Sequence, residues 1–395
     1  MLKLVMFSLF VCFSTSINIK HIIAYAKCTN ISLKASHSLS YKLDNHPLFL
    51  GINQLEKIHL TMKSITFTGL YAPLFYGNSV NLNLYDVSAY DIFNQTLVIT
   101  GQSVLDRNRI CLSNITFINC RFTSSFYDFN GGAFEFTDCQ ILCNKTLFFD
   151  CVASKGSALY ASNCNAFFSD TNFSLNYARD FAATTFEMSN VTLLNCIFYA
   201  NFAYTVSSIY GFFSHVYIFN CGFVSNTVDI STCVCLVNCS GLLRGSDFIN
   251  NYCGVNSPIP EESGVVCLQS PNFYRIIACK FSENTLEGRK KPDTSIVLSG
   301  VGTSRILFCQ FDRNEDETIQ KIQPKEGKLS AIVSNCAVNL NIKSKYQTLA
   351  QEMIHSDTSF SLDIGQFTSF SFLQIAFTGV FLLFICSIVV LFCMN

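Results

Sequence analysis

The sequence predicts an all-β fold: a right-handed parallel β-helix with coils of about 25 residues, followed by a C-terminal transmembrane helix. Three observations predict it. Phe148, Phe173, Phe198, Phe223 and Phe248 recur every 25 residues, each followed three residues later by Cys151, Asn176, Asn201, Asn226 or Asn251. A second series, Cys139, Cys164, Ser189, Ser214 and Cys239, keeps the same interval nine residues ahead of the first. Each unit also contains two or three short apolar, β-branched or aromatic runs, broken by Asn, Ser, Gly and Asp, with no helical spacing sustained long enough to build a helix. Short strands joined by turns, three to a unit, stack as coils at about 4.8 Å. The right hand is the rule for parallel crossovers.

Stacking places residues one period apart directly above each other, which accounts for the residue types. Phe at an inward phase forms a column of offset rings, each pair adding about 0.5–1.5 kcal/mol beyond burial. Asn suits the turn after it, because its side chain bonds neighbouring backbone, tolerates left-handed φ/ψ and can join the Asn of the next coil. Replacing a middle one, as in Asn201→Leu, is expected to cost about 1–3 kcal/mol.

Taken in order, residues 1–26 read as a secretory signal: Lys3, an apolar run from Leu4 to Phe13, and Ala24-Tyr25-Ala26 or Ser14-Thr15-Ser16 as the small-residue cleavage site. Residues 27–112 carry strand-like runs with a blurred period and read as an N-terminal cap and early coils. The regular repeats span 113–345. After Asn251 the ladder continues through Phe281 and Asn284, then Phe311 and Asn314, with steps of 33 and 30 residues. The additional residues form loops after the same turn. The first holds Glu261 and Glu262, the second Arg289, Lys290, Lys291 and Asp293, and a third runs from Glu315 to Lys328. This charge-dense group is the candidate binding edge. Residues 346–371 read as a cap or stalk. Residues 372–394 are apolar and long enough to span a bilayer, or to serve as a GPI attachment signal with Ser356-Asp357-Thr358 as acceptors.

Seven Asn-x-Ser/Thr triplets, at Asn30, Asn94, Asn114, Asn144, Asn172, Asn190 and Asn238, fit an exported, glycosylated body displayed at the cell surface. Charged residues make up 13% of the chain and the net charge is −1, which gives no footprint for nucleic acid. No phosphate-binding glycine motif occurs.

The FxxN phrases at Phe173, Phe198, Phe223, Phe248, Phe281 and Phe311, with Gly131-Gly-Ala-Phe134 and Gly156-Ser-Ala-Leu159, resemble the repeats of the polymorphic outer membrane protein (Pmp) family. The resemblance covers roughly residues 113–342 and is closest in kind to the large surface families of trichomonad-type protists, since the chain ends in an apolar segment where bacterial members carry a barrel. It implies a passenger β-helix acting in adhesion: recognition of an unknown protein or glycan of a host or neighbouring cell, without catalysis.

The alternatives are a carbohydrate-active β-helix enzyme and a purely structural coat. The former needs carboxylates meeting on one face. Glu135, Asp138, Asp150, Asp170, Asp180, Glu187, Asp229 and Asp247 never share a phase in neighbouring coils, so neither catalytic residues nor a metal or cofactor are expected. Of 20 cysteines, Cys12, Cys386 and Cys393 fall in the terminal apolar segments, leaving an odd 17 in the body. Cys139/Cys164, Cys196/Cys221 and Cys279/Cys309 are same-phase neighbours, able to pair as disulfides or to stack as buried thiols. Cys233, Cys235 and Cys239 lack the CxxC or His partners of a zinc site.

Overall fold

The computed structural model describes residues 58–100 except 72 and 79, 113–254, 264–286, 295–311 and 327–338, with strands Val11–Phe13, Asn30–Ala35, Phe49–Gly51 and Ile319–Ile322. The charged residues of the first two loops, Glu315, Asp316, Glu317, Lys325 and Glu326 of the third, Asn314, the stalk and the C-terminal apolar segment lie outside these residues, as do residues 1–26 except Val11–Phe13, which pairs with Leu33–Ala35. Met1–Gln347 forms one compact unit.

Among the described residues every element is a strand and every pairing is parallel, giving a β-solenoid. One coil shows the plan. Asn190–Leu194 lies in sheet A, Ile197–Tyr199 in sheet B, and Phe202–Ala203 with Val206–Phe212 in sheet C, before His215–Phe219 returns to sheet A one coil further on. Sheet A stacks thirteen strands and sheet B eleven. Because each strand bonds the coils before and after it, only the terminal coils leave ladder groups open.

Alternation does the sorting. In Asn190–Leu194, Val191 and Leu193 are buried while Asn190, Thr192 and Leu194 face outward. Repeated from Leu60 to Leu329, this pattern makes one continuous apolar core. Phe148, Phe173, Phe198, Phe223, Phe248, Phe281 and Phe311 form a column through it, with ring centroids 4.5–5.2 Å apart and planes within 3–14° of parallel.

The corners are single left-handed residues, and this corrects the role given to Asn. The ladder Asn does not adopt that conformation; the residue before it does, as at Leu175, Ala200, Ser225, Asn250 and Glu283. The Asn carboxamide closes the corner instead. From Asn201 to Asn284, each Oδ1 accepts the backbone N–H and the Nδ2 of the ladder Asn one coil earlier, at 2.9–3.1 Å. Each Nδ2 also donates to the carbonyl of the preceding coil's Phe, as Asn201 does to Phe173 at 2.8 Å. Every hydrogen-bonding group of a middle Asn is thereby used.

The second series closes another corner by the same logic. The Ser189 hydroxyl donates to the Glu187 carbonyl at 2.7 Å and accepts the Cys164 N–H at 3.0 Å. Cysteines take this position as weaker hydroxyl substitutes: the Cys164 thiol donates to the Ser162 carbonyl at 3.2 Å. The described cysteines from Cys120 to Cys336 are free thiols, so stacking, not disulfide pairing, is the arrangement present. At the Gly-Gly-Ala motif, Gly131 has φ +66° and a Cβ there would run into the Phe134 carbonyl.

Candidate functional site

The outer face of sheet C, where an in-register column runs Tyr76, Val98, Glu135, Tyr160, Thr185, Tyr210, gathers polar and aromatic chemistry. Glu187 lies on the same face, two residues along from Thr185 in strand Thr184–Glu187. Three backbone-fixed strands thus hold two carboxylates on either side of a tyrosine.

Its geometry is set by hydrogen bonds. The Tyr160 hydroxyl donates to Glu187 Oε2 at 2.8 Å. On the other side Gln95, itself buried, donates from Nε2 to Glu135 Oε2 and to the Asn130 carbonyl, both at 2.5 Å. A buried amide anchored at two points fixes the carboxylate before any ligand arrives. Tyr210 packs on Phe181 with centroids 4.6 Å apart, and the Lys155 ammonium sits 5.4 Å from the Phe181 ring centre. Between Tyr160 and Tyr210, Thr185 is fully buried and its hydroxyl has no partner.

Electrostatics keep the phenols protonated. Burial, the Glu187 hydrogen bond and the charges of Glu187 and Glu135 push Tyr160 well above the usual tyrosine range. Burial, then the neighbouring Cys235 and Glu187, push Tyr210 up to about 12. Tyr127 is raised by burial, then by the charges of Glu135, Tyr76 and Asp128. Tyr76 is 47% exposed and Phe129, stacked obliquely against Tyr127 at 5.7 Å, is 68% exposed. Past Tyr210 the column becomes apolar and enclosed at Cys235, Cys267 and Val297, which bounds the polar face. The arrangement offers phenol and carboxylate groups for hydroxyls and ring faces for apolar surface.

The sequence search missed this site because it compared acids at equal phase. Glu135 and Glu187 differ in phase by two residues, and in a strand a shift of two returns a side chain to the same face. That rule, applied to the spacing of 52, is the signal that would have found them. The described ladder residues, in contrast, are interior and present nothing to a ligand. His215 is exposed and hydrogen-bonds Ser240. Cys233 packs in the main core and Cys235 in a separate buried cluster with Val206 and Cys267. Among the described residues no group of three or more His, Cys, Asp or Glu is placed to hold a metal ion.

The sequon asparagines are dispersed. Asn114 and Asn190 are exposed on sheet A; Asn94, Asn144, Asn172 and Asn238 are half-buried; Asn30 begins a strand. The loop anchors stack in register, Cys253 against Leu286 and Val266 against Ile296. Inside the third loop, Ile319–Ile322 forms a sheet C strand paired with Ile296–Ser299, so that segment is shorter than the sequence suggested.

No family model and no curated protein matches the chain. Among solved structures it is similar to tailspike protein 3 of bacteriophage CBA120, with a TM-score of 0.36 and 12% identity, over 80% of this chain and 54% of that one. The chain thus spans about half the length of the tailspike protein.

Proposed function

We propose that this protein is a surface recognition protein that binds neutral glycans on the outer face of sheet C. The observation that carries the reading is the tyrosine column Tyr76, Tyr160 and Tyr210 with Glu135 and Glu187 held beside it. Glycans present many hydroxyls and apolar ring faces, which need this mixture of fixed polar groups and aromatic surface. Two carboxylates disfavour acidic polysaccharides by like-charge repulsion. The terminal apolar segments and the sequons support export, display and a membrane anchor, and the FxxN phrases support a Pmp-like surface family.

The test is binding of the full-length protein, in detergent, to an array of neutral and acidic glycans. Retention of neutral glycans is expected. Glu187→Gln and Tyr160→Phe are expected to weaken it roughly 10- to 100-fold, the equivalent of one hydrogen bond to a charged group. Asn165→Ala, on sheet A, is the control and leaves it unchanged. Equal binding by all three variants, or no binding, would reject the reading.

A second reading has one observation in its favour: the two glutamates flank Tyr160, and a pair of carboxylates is what glycoside hydrolysis uses. It predicts reducing ends appearing from a bound glycan, abolished in Glu135→Gln. Binding without turnover leaves recognition as the function.

A further inference from the structure

On the outer face of sheet A, two columns of side chains run across four coils. One is Asn114, Gln140, Asn165 and Asn190; beside it stand Thr116, Leu142, Phe167 and Thr192. Together they line a shallow groove of about 410 Å³ with no charged residue in its wall. Leu142, 43% exposed, and Phe167, 38% exposed, lie side by side at its centre and present apolar surface to water.

The ends of the two columns are chemically matched. Asn114 with Thr116, and Asn190 with Thr192, are each an Asn-x-Thr triplet, and the two threonines bracket the Leu142–Phe167 pair. Both asparagines are exposed, and neither carboxamide makes a hydrogen bond within the described residues. The other sequon side chains in the body are less free. Asn94 Oδ1 accepts the Gln95 N–H at 2.8 Å, Asn172 Oδ1 accepts the Ser174 hydroxyl, and the Asn144 oxygen is enclosed. Asn238 occupies a left-handed corner at φ +52°.

We propose that Asn114 and Asn190 carry N-linked glycans whose first sugars lie over Leu142 and Phe167, so that the occupant of the groove is the chain's own carbohydrate. The two attachment points are three coils, or about 14 Å, apart, and they face the patch from both ends. Glycan is bulky and solubilising, which suits an exposed apolar patch. In the transfer, asparagine Nδ2 bonds to the anomeric carbon of a lipid-linked oligosaccharide. The bond from that carbon to the pyrophosphate oxygen breaks, the lipid pyrophosphate leaves with the electron pair, and Nδ2 gives up one proton. Sheet C stays uncovered, so the two faces divide into a shielded side and a binding side. This inference rests on the export reading, not on the glycan-binding one.

The test is glycopeptide mapping of the full chain made in a eukaryotic secretory host, followed by enzymatic deglycosylation of the folded protein. Asn114 and Asn190 are expected to be occupied. Deglycosylation, or the double variant Thr116→Ala with Thr192→Ala, is expected to raise binding of an apolar fluorescent dye about twofold or more; Asn94→Gln is not. Glycan at Asn94, Asn144, Asn172 or Asn238 with Asn114 and Asn190 bare would overturn this inference and leave export standing. Glycan at none of them would overturn export as well. Occupied sites with unchanged dye binding would overturn the covering role.

Discussion

Asn201 illustrates how much one side chain can hold in a solenoid. Its Oδ1 accepts two donors of Asn176 and its Nδ2 meets Phe173 and Asn226, so Asn201→Leu strands groups in two neighbouring coils. The expected cost is about 3 kcal/mol or more, at or above the top of the range for a single lost bond, measured by urea unfolding. The corner residues act in the other direction. Met188 is 60% exposed at φ +47° in a column where Asn163 and Asn238 hold the same place. Met188→Asn is expected to raise stability by roughly 0.5–1 kcal/mol, since Asn tolerates the left-handed region better. The buried thiols predict a pH response. Burial pushes Cys143 and Cys151 up to about 12 and Cys120, Cys233 and Cys239 up to about 11. Unfolded thiols titrate near about 8.5, so the folded chain holds these protons more tightly. Their stabilisation is full below about pH 8.5 and declines as pH rises towards 11–12, by ~1.4 kcal/mol per unit for each thiol. Unfolding midpoints that stay level through about pH 10.5 would show that the thiols are not free.

At the level of elements, the Phe column joins sheet B to the core of every coil it crosses. Phe198 stacks on Phe173 at 4.8 Å and on Phe223 at 5.0 Å. Phe198→Ala removes both contacts and leaves a cavity between close-packed coils, at a cost of about 3–5 kcal/mol in thermal or urea unfolding. Phe198→Leu retains most of the volume and is expected to cost less. Legibility varied between elements for a physical reason. In the regular repeats, successive coils differ by 25 residues, and the corner ladders print their period directly into the sequence. In the early coils the in-register partners Leu60, Leu82, Ile115 and Ile141 are spaced by 22, 33 and 26, so the same three sheets form without a constant interval. Strand stacking requires aligned registers but not equal connections, which is why 58–100 read as a blur.

Along the described solenoid each strand pairs with the coils on either side, Tyr274 reaches further to donate to the Val216 carbonyl two coils earlier at 3.0 Å, and stability spreads along the axis mainly as intrinsic and interface terms. Hydrogen exchange is expected to be slowest across 134–254. It should be fastest near Leu329–Ser334, where Ile332 is 49% and Val333 39% exposed. A central lesion such as Asn201→Leu should divide one unfolding transition into two; a single unaltered transition would show coupling longer than nearest-neighbour. By itself the sequence determined the solenoid, its coil length, its inward Phe phase and the Asn ladder beside it, because a repeated unit must place equal residues in equal surroundings. Only the tertiary structure decided that the left-handed corner precedes the Asn and that thiols stand in for hydroxyls. It alone brought Glu135, Tyr160 and Glu187 to one face, and Asn114 and Asn190 to the two ends of one groove. Those groupings depend on which side of a strand a residue faces and which coil lies beside it. Spacing along the chain records the first only when read by strand parity, and the second only where every coil has the same length.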